Sequence, residues 1–241
     1  MKNVVRWHSD RVGQEICLAR WGTHGTPVLI FPTAGGDHEE IERFHLVDAL
    51  GGLMESGRAK VYSVDSINGC AWLTGDDPHY AAWLQNQFDA AIHHEVVPAI
   101  YGDCDGELPI VAAGASIGAF NALELLCRHP DVFTSAVCLS GTYDLAKWLQ
   151  GSWSADFYFS SPIHYLPDLP DGGQLRLLRK CFVLLAHGNG RYEEPQQSWR
   201  VADVLGAKGI PNRVDEWDGY SHDWVTWREM MPRYLDELLP G

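Results

Sequence analysis

The sequence predicts an α/β fold, a mostly parallel central sheet with helices on both faces and a small insertion. Three observations predict it. Strand-like stretches recur along the chain, at residues 27–31, 60–65, 134–139 and 181–186, and an apolar run leads from Pro109 into Gly114. Between them stand stretches whose apolar residues repeat at three and four, and strands separated by helices require parallel crossovers that cover both sheet faces. One junction, Gly114-Ala115-Ser116-Ile117-Gly118, joins a strand-like run to a helical one with no linker at all.

In order, residues 4–9 and 14–21 read as two β segments joined by a turn at Asp10-Arg11-Val12-Gly13, and 27–31 as a buried strand. Thr33-Ala34-Gly35-Gly36-Asp37 is a loop. Helical spacing covers 41–56, a strand follows at 60–65, and 80–100 reads as one long helix rich in aromatic and apolar residues. After the Gly-x-Ser-x-Gly junction come a strand at 134–139, a long irregular excursion, and a strand at 181–186. Residues 201–207, 212–217 and 224–239 close the chain as helix, strand and helix. Residues 1–241 are read as a single domain with no internal repeat, within which 143–178 is a small lid insertion rich in Trp, Phe and Tyr. Most of those aromatic side chains are expected to pack the insertion onto the body.

A length of 241 residues with 46% hydrophobic content suits one such domain, and the formal charge of -14 argues against a nucleic-acid or anionic-membrane partner. A small-molecule substrate is the expected partner. Met1-Lys2-Asn3-Val4 leads into strand-like sequence without an apolar signal core, and no uncharged run is long enough to span a bilayer, so a cytoplasmic location is expected. Six cysteines are scattered without a Cys-x-x-Cys pair and read as buried reduced thiols. No clustered metal ligands are visible, and neither metal nor cofactor is expected. His93-His94-Glu95 lacks the spacing that puts two imidazoles on one helical face and reads as a solvated helix turn.

The junction at Ser116 carries the chemistry. A serine forced into a tight strand-to-helix turn needs small neighbours, here Gly114 and Gly118, and its Oγ then stands above the sheet. The helix starting at Ile117 directs free backbone N–H groups to the same place, where they stabilise negative charge forming on a substrate oxygen.

Taken with this junction, Val28-Leu29-Ile30-Phe31-Pro32-Thr33-Ala34-Gly35-Gly36, Val61-Tyr62-Ser63-Val64-Asp65-Ser66, Ser140-Gly141-Thr142-Tyr143-Asp144 and Ser221-His222-Asp223-Trp224 resemble the putative-esterase branch of the α/β-hydrolase superfamily, related to esterase D and the antigen 85 proteins. The resemblance spans nearly the whole chain and implies serine ester hydrolysis. It implies His222, in the loop after the last strand, as the base, since only that histidine combines the loop with the chain order Ser, acid, His. It implies an acid in the loop after the strand 181–186, where Glu193 fits the Gly-x-Gly-x-x-Glu pattern, with the adjacent Glu194 and the nearby Asp218 as alternatives. The oxyanion donors implied are the N–H of Ile117 and one from Ala34 or Gly35. One departure is Asn68-Gly69-Cys70-Ala71-Trp72, a loop where similar esterases carry a more polar Glu-Ser-Trp stretch.

The activity expected is therefore hydrolysis of a small or medium carboxylic ester through an acyl-enzyme. Thioester hydrolysis or acyl transfer would use the same residues. A non-catalytic binding module of the same fold is the alternative from another class, against which the retained Ser116 and His222 stand.

Overall fold

In a computed structural model, which describes residues 2–75 and 77–241, the strand-like stretches form one eight-stranded sheet. Met1, the first residue of the chain's opening, lies outside the described residues. The strands are β1 (Asn3–Ser9), β2 (Gln14–Trp21), β3 (Thr26–Phe31), β4 (Ala59–Val64), β5 (Ile110–Ala115), β6 (Phe133–Leu139), β7 (Phe182–Gly188) and β8 (Asn212–Trp217). Their spatial order is β1-β2-β4-β3-β5-β6-β7-β8. The pairs β1–β2 and β2–β4 are antiparallel and all others parallel. A four-residue turn can reverse β1 into β2, where Gly13 takes φ 68 and its N–H returns to the Ser9 carbonyl at 2.9 Å. The parallel strands instead need helical crossovers.

The central strands explain why their sequences are apolar runs and not alternating ones. Along β3, Val28 and Ile30 enter one core while Leu29 and Phe31 enter the other, so both faces of the strand are buried. One core is closed by α2 (Pro78–Ala91) and α3 (Ile117–Arg128), through residues such as Phe88, Phe120 and Leu123. The other is closed by α5 (Trp224–Leu238), through Trp227, Met230 and Tyr234. Two further helices matter below, α1 (Ile67–Thr74) and α4 (Pro195–Ala207). The expected mostly parallel sheet covered on both faces is the architecture of the chain.

Several local expectations need correction. The stretch 41–56 is three short helices, Glu40–Arg43, Leu46–Ala49 and Gly51–Glu55, because His45 adopts φ 61 and interrupts the helix. The long helix at 80–100 starts earlier, where Asp77 accepts from the His79 and Tyr80 N–H groups ahead of Pro78, and it passes through a π-helical turn at Ile92–Val96. His93-His94-Glu95 lies in that turn and is only partly solvated: the His93 ring stacks on His129 at 4.0 Å, and Glu95 accepts from Trp7 Nε1 at 2.8 Å and Ser9 Oγ at 2.9 Å. Residues 68–72 belong to α1 and not to a loop. Of the cysteines, Cys127, Cys138 and Cys181 are buried as expected, whereas Cys17 and Cys104 are half-buried and Cys70 is exposed.

The segment 143–178 consists of short helical pieces packed on the body. Tyr143, Phe157 and Tyr165 are buried, with Phe157 edge-on to Trp72 at 6.3 Å, while Trp153 and Phe159 face solvent. No helix among the described residues is long and apolar enough to cross a membrane.

Candidate active site

Ser116 links β5 to α3 with φ 58 and ψ -122, a backbone region that costs a non-glycine residue energy and persists only when its surroundings enforce it. The enforcement is visible. Ser116 N–H donates to the Leu139 carbonyl at 3.0 Å, and its own carbonyl accepts from Ala119 at 3.2 Å and Thr142 at 3.2 Å. Side chains are excluded on either side, since a Cβ on Gly118 would run into the carbonyl oxygens of Phe31 and Pro32, and one on Gly114 into the backbone of Gly118. The β3, β5 and β6 ends and the start of α3 therefore meet at closest backbone approach, with Ser116 left half-exposed at the top.

Ser116 opens into a cleft of about 450 Å³ that is also lined by Ala34, His222, Phe44, Trp224 and Trp227. Phe44 and Trp224 stack at 5.0 Å with their planes 5° apart, which gives the cleft an apolar wall. Trp227 sits edge-on to the His222 ring at 5.0 Å and fixes its orientation by packing.

His222 and Glu193 lie on two loops that are laced together. Gly190 N–H donates to the Tyr220 carbonyl at 2.7 Å, Arg191 N–H to Ser221 Oγ at 3.0 Å, and His222 N–H to the Arg191 carbonyl at 3.0 Å. Gly188 must be glycine, because a Cβ there would strike the Tyr220 carbonyl. In the same turn Tyr192 takes φ 67, and the next side chain, Glu193, is 1% exposed against 58% for Glu194. Glu193 Oε2 stands 3.8 Å from His222 Nδ1, close enough for an ion pair and about 0.8 Å beyond a hydrogen bond of ~3.0 Å. Its other oxygen, Oε1, accepts from Ser140 Oγ at 2.6 Å.

The alternative acids point elsewhere. Glu194 immediately precedes α4, accepts from Gln197 Nε2 at 3.1 Å and lies 3.7 Å from Lys147 Nζ. Asp218 is exposed and accepts from Asn189 Nδ2 at 3.0 Å.

Ile117 is the first residue of α3, so its N–H has no partner within the helix. The loop after β3 is folded on a buried carboxylate that the sequence gives no reason to expect. Glu40 accepts from Thr33 N–H at 2.7 Å and Thr33 Oγ1 at 2.6 Å, and its carboxylate fills the space a side chain on Gly36 would need. Burial raises the Glu40 pKa above its ordinary 4.5, opposed by the two Thr33 bonds. Ala34 faces the Ser116 cleft. Gly35, at φ 77, lines an adjoining cavity of about 590 Å³. Helix α1 presses on this loop at Gly69, where a Cβ would come 3.3 Å from Ala34 Cα.

The structure thus brings Ser116, His222 and Ala34 to one cleft with Glu193 behind the histidine, and leaves Glu194 and Asp218 away from it. Ser140, Trp227, Phe44 and Glu40 also shape the site but are not identified by the sequence reading. Trp224 and Trp227, three apart just after His222 on an amphipathic helix, are the one sequence signal that could have found part of this group. Outside the cleft, Cys17, His38 and Asp65 come together as potential metal ligands, a convergence that the scattered positions in sequence do not reveal.

The comparisons with known proteins agree with the sequence resemblance. Residues 61–173 match a family model described as "Putative esterase". No curated protein sequence matches the chain. Among solved structures, a ferulic acid esterase superposes with a TM-score of 0.74 at 14% identity, covering 98% of this chain and 96% of that one. An S-formylglutathione hydrolase from Agrobacterium tumefaciens gives 0.73 at 15% identity, covering 100% and 96%. The enterobactin esterase from Shigella flexneri gives 0.67 at 19% identity, covering 99% of this chain and 59% of that one. At these identities the likeness establishes the α/β-hydrolase fold.

Proposed function

With the putative-esterase match over residues 61–173 and the α/β-hydrolase fold as premise, we propose that the chain is a serine carboxylic-ester hydrolase acting on a small or medium ester through an acyl-enzyme. The observation that carries this reading is the shared cleft of Ser116 and His222, with the buried Glu193 carboxylate on the far side of the imidazole.

Each residue then has a role set by its chemistry. Ser116 Oγ attacks the ester carbonyl, and His222 Nε2 takes its proton and returns it to the departing alcohol oxygen. Glu193 accepts the Nδ1–H of His222, which selects the tautomer and stabilises the imidazolium formed during attack. The 3.8 Å separation closes as the positive charge develops, since such contacts tighten in the reacting complex. The N–H groups of Ile117 and of Ala34 or Gly35 hold the oxyanion; Ala34 is favoured because it lines the reacting cleft. Water then repeats the sequence on the acyl-enzyme. The stacked Phe44–Trp224 wall supplies apolar surface for the acyl or alcohol part.

A panel of p-nitrophenyl esters of graded chain length tests the reading. Hydrolysis by the wild-type chain is expected, with turnover falling by roughly six decades in Ser116→Ala, as when a serine triad loses its nucleophile. Near-normal turnover in a folded Ser116→Ala variant would remove the basis of the proposal.

A further inference from the structure

We infer that Cys17, His38 and Asp65 form a binding site for a divalent transition metal, with Zn2+ the best match to the three donors. The site lies apart from Ser116 and His222, and the inference does not depend on ester hydrolysis.

Three separate elements meet there. Leu18 of β2 pairs with Val64 of β4, so Cys17 and Asp65 are the next residues outward along that antiparallel ladder. Asp65 Oδ2 accepts from the Cys17 N–H at 2.9 Å. His38 comes from the loop after β3, and both its backbone N–H and its Nδ1 lie on Asp65 Oδ1, at 3.0 and 2.7 Å. The carboxylate is thereby fixed before any ion arrives, which is the preorganisation a metal site needs.

The potential ligand atoms of the three side chains all lie within 4.8 Å of one another. Tetrahedral zinc, with bonds of about 2.0–2.3 Å, sets its ligand atoms roughly 3.3–3.8 Å apart, so the widest separation must close by about an ångström while His38 Nδ1 and Asp65 Oδ1, 2.7 Å apart, must open by roughly half an ångström. Rotation of the Cys17 and His38 side chains can supply both adjustments. On binding, the Cys17 thiol proton passes to solvent, and His38 carries its remaining proton on the ring nitrogen that faces away from the ion. The 2+ charge is then balanced by one thiolate and one carboxylate.

The donor types discriminate among ions. Calcium and magnesium favour all-oxygen shells, whereas a thiolate with an imidazole and a carboxylate suits zinc and its neighbours in the first transition row. Access and a fourth position are both provided. Asp65 lines the cavity of about 590 Å³, together with Glu15 and Asp37, so hydrated cations are attracted there and a water can complete the shell. A bound ion would clamp β2, β4 and the 33–38 loop to one point.

Cobalt(II), added to the reduced full-length chain, provides a direct probe because a thiolate ligand gives a sulfur-to-cobalt charge-transfer absorption. One equivalent is expected to saturate the band, and Zn2+ to displace it. Cys17→Ser should abolish the band. His38→Ala should weaken binding by more than the roughly 10–100-fold typical of losing an outer partner. Cys70→Ser, which changes an exposed thiol on the same cavity, should keep the band. In parallel, Zn2+ should raise the melting temperature of the wild type and of Cys70→Ser but not of His38→Ala, which covers the case of a poorly folding Cys17→Ser. Absence of the band in the wild type, its survival in Cys17→Ser, its loss only in Cys70→Ser, or unweakened binding by His38→Ala would each overturn the site.

Discussion

Ser140 Oγ donates to Glu193 Oε1 at 2.6 Å while accepting from Trp227 Nε1 at 3.0 Å. The indole can only donate, so the hydroxyl proton of Ser140 is committed to the carboxylate, and the orientation of Glu193 is set from α5 through Ser140. Trp227 also packs edge-on to His222, so one side chain orients both partners of the proposed acid–base pair.

Ser140→Ala should therefore lower kcat roughly ten- to hundredfold with little change in KM, the scale of a lost hydrogen bond to a charged group. Trp227→Phe, which keeps a ring against His222 but removes the donor, should show a smaller loss of the same kind. Steady-state kinetics on a p-nitrophenyl ester measures both; unchanged kcat in Ser140→Ala would show that Glu193 needs no such support.

Burial separates the three carboxylates considered for the acid. Glu193→Gln should lose on the order of four decades of turnover, as when a serine triad loses its acid, while Glu194→Gln and Asp218→Asn should stay close to wild type because both are exposed and bonded elsewhere. The same assay on the three folded variants decides it, and a crippled Asp218→Asn would reassign the acid.

The elbow's backbone packing makes a stability prediction. Gly118→Ala places a methyl against the carbonyls of Phe31 and Pro32, so it should lower the melting temperature by several degrees, the overpacking cost being on the order of 1–3 kcal/mol. Gly206→Ala, in α4 with open space at its Cβ, should be neutral or slightly stabilising. Calorimetry on the two variants gives the contrast.

Glu124, on α3 and fully buried, has its pKa held well above the ordinary 4.5 by burial first and then by the charge of Asp89, against the pull of Arg128 and the Gln85 hydrogen bond. A raised carboxyl pKa means the folded chain binds the proton more tightly than the unfolded one. The associated stability is complete below pH 4.5 and is lost as the pH rises through the folded value. Relative to Glu124→Gln, the wild type should thus become progressively less stable from mildly acidic to alkaline pH. Denaturant midpoints of both proteins across that range test this, and a constant difference would contradict it.

What the sequence made legible follows from the range of the forces involved. The parallel sheet was readable because Val28 to Phe31 and Ile110 to Ala115 bury both faces and so become unbroken apolar runs. The strand-to-helix junction at Ser116 was readable because a tight turn leaves a local glycine signature, whereas Glu193 came only from the family resemblance, beside Glu194 and Asp218. The helix at 41–56 was misread since its apolar spacing continues across His45, whose left-handed backbone leaves no mark in the pattern. Ser140 and the set of Cys17, His38 and Asp65 were hidden for a different reason. Their partners lie 53 residues away for Ser140 to Glu193 and 48 for Cys17 to Asp65, and such pairs exist only once the strand order is known.

Covalent labelling distinguishes Ser116 as the attacking nucleophile from every other hydroxyl of the chain. The chain is treated with a fluorophosphonate, digested, and the modified peptide identified by mass spectrometry. One adduct per chain on Ser116 is expected, absent in Ser116→Ala and strongly slowed in His222→Ala. Stoichiometric labelling of a folded Ser116→Ala chain, or ester hydrolysis that survives with Ser116 unlabelled, would contradict it.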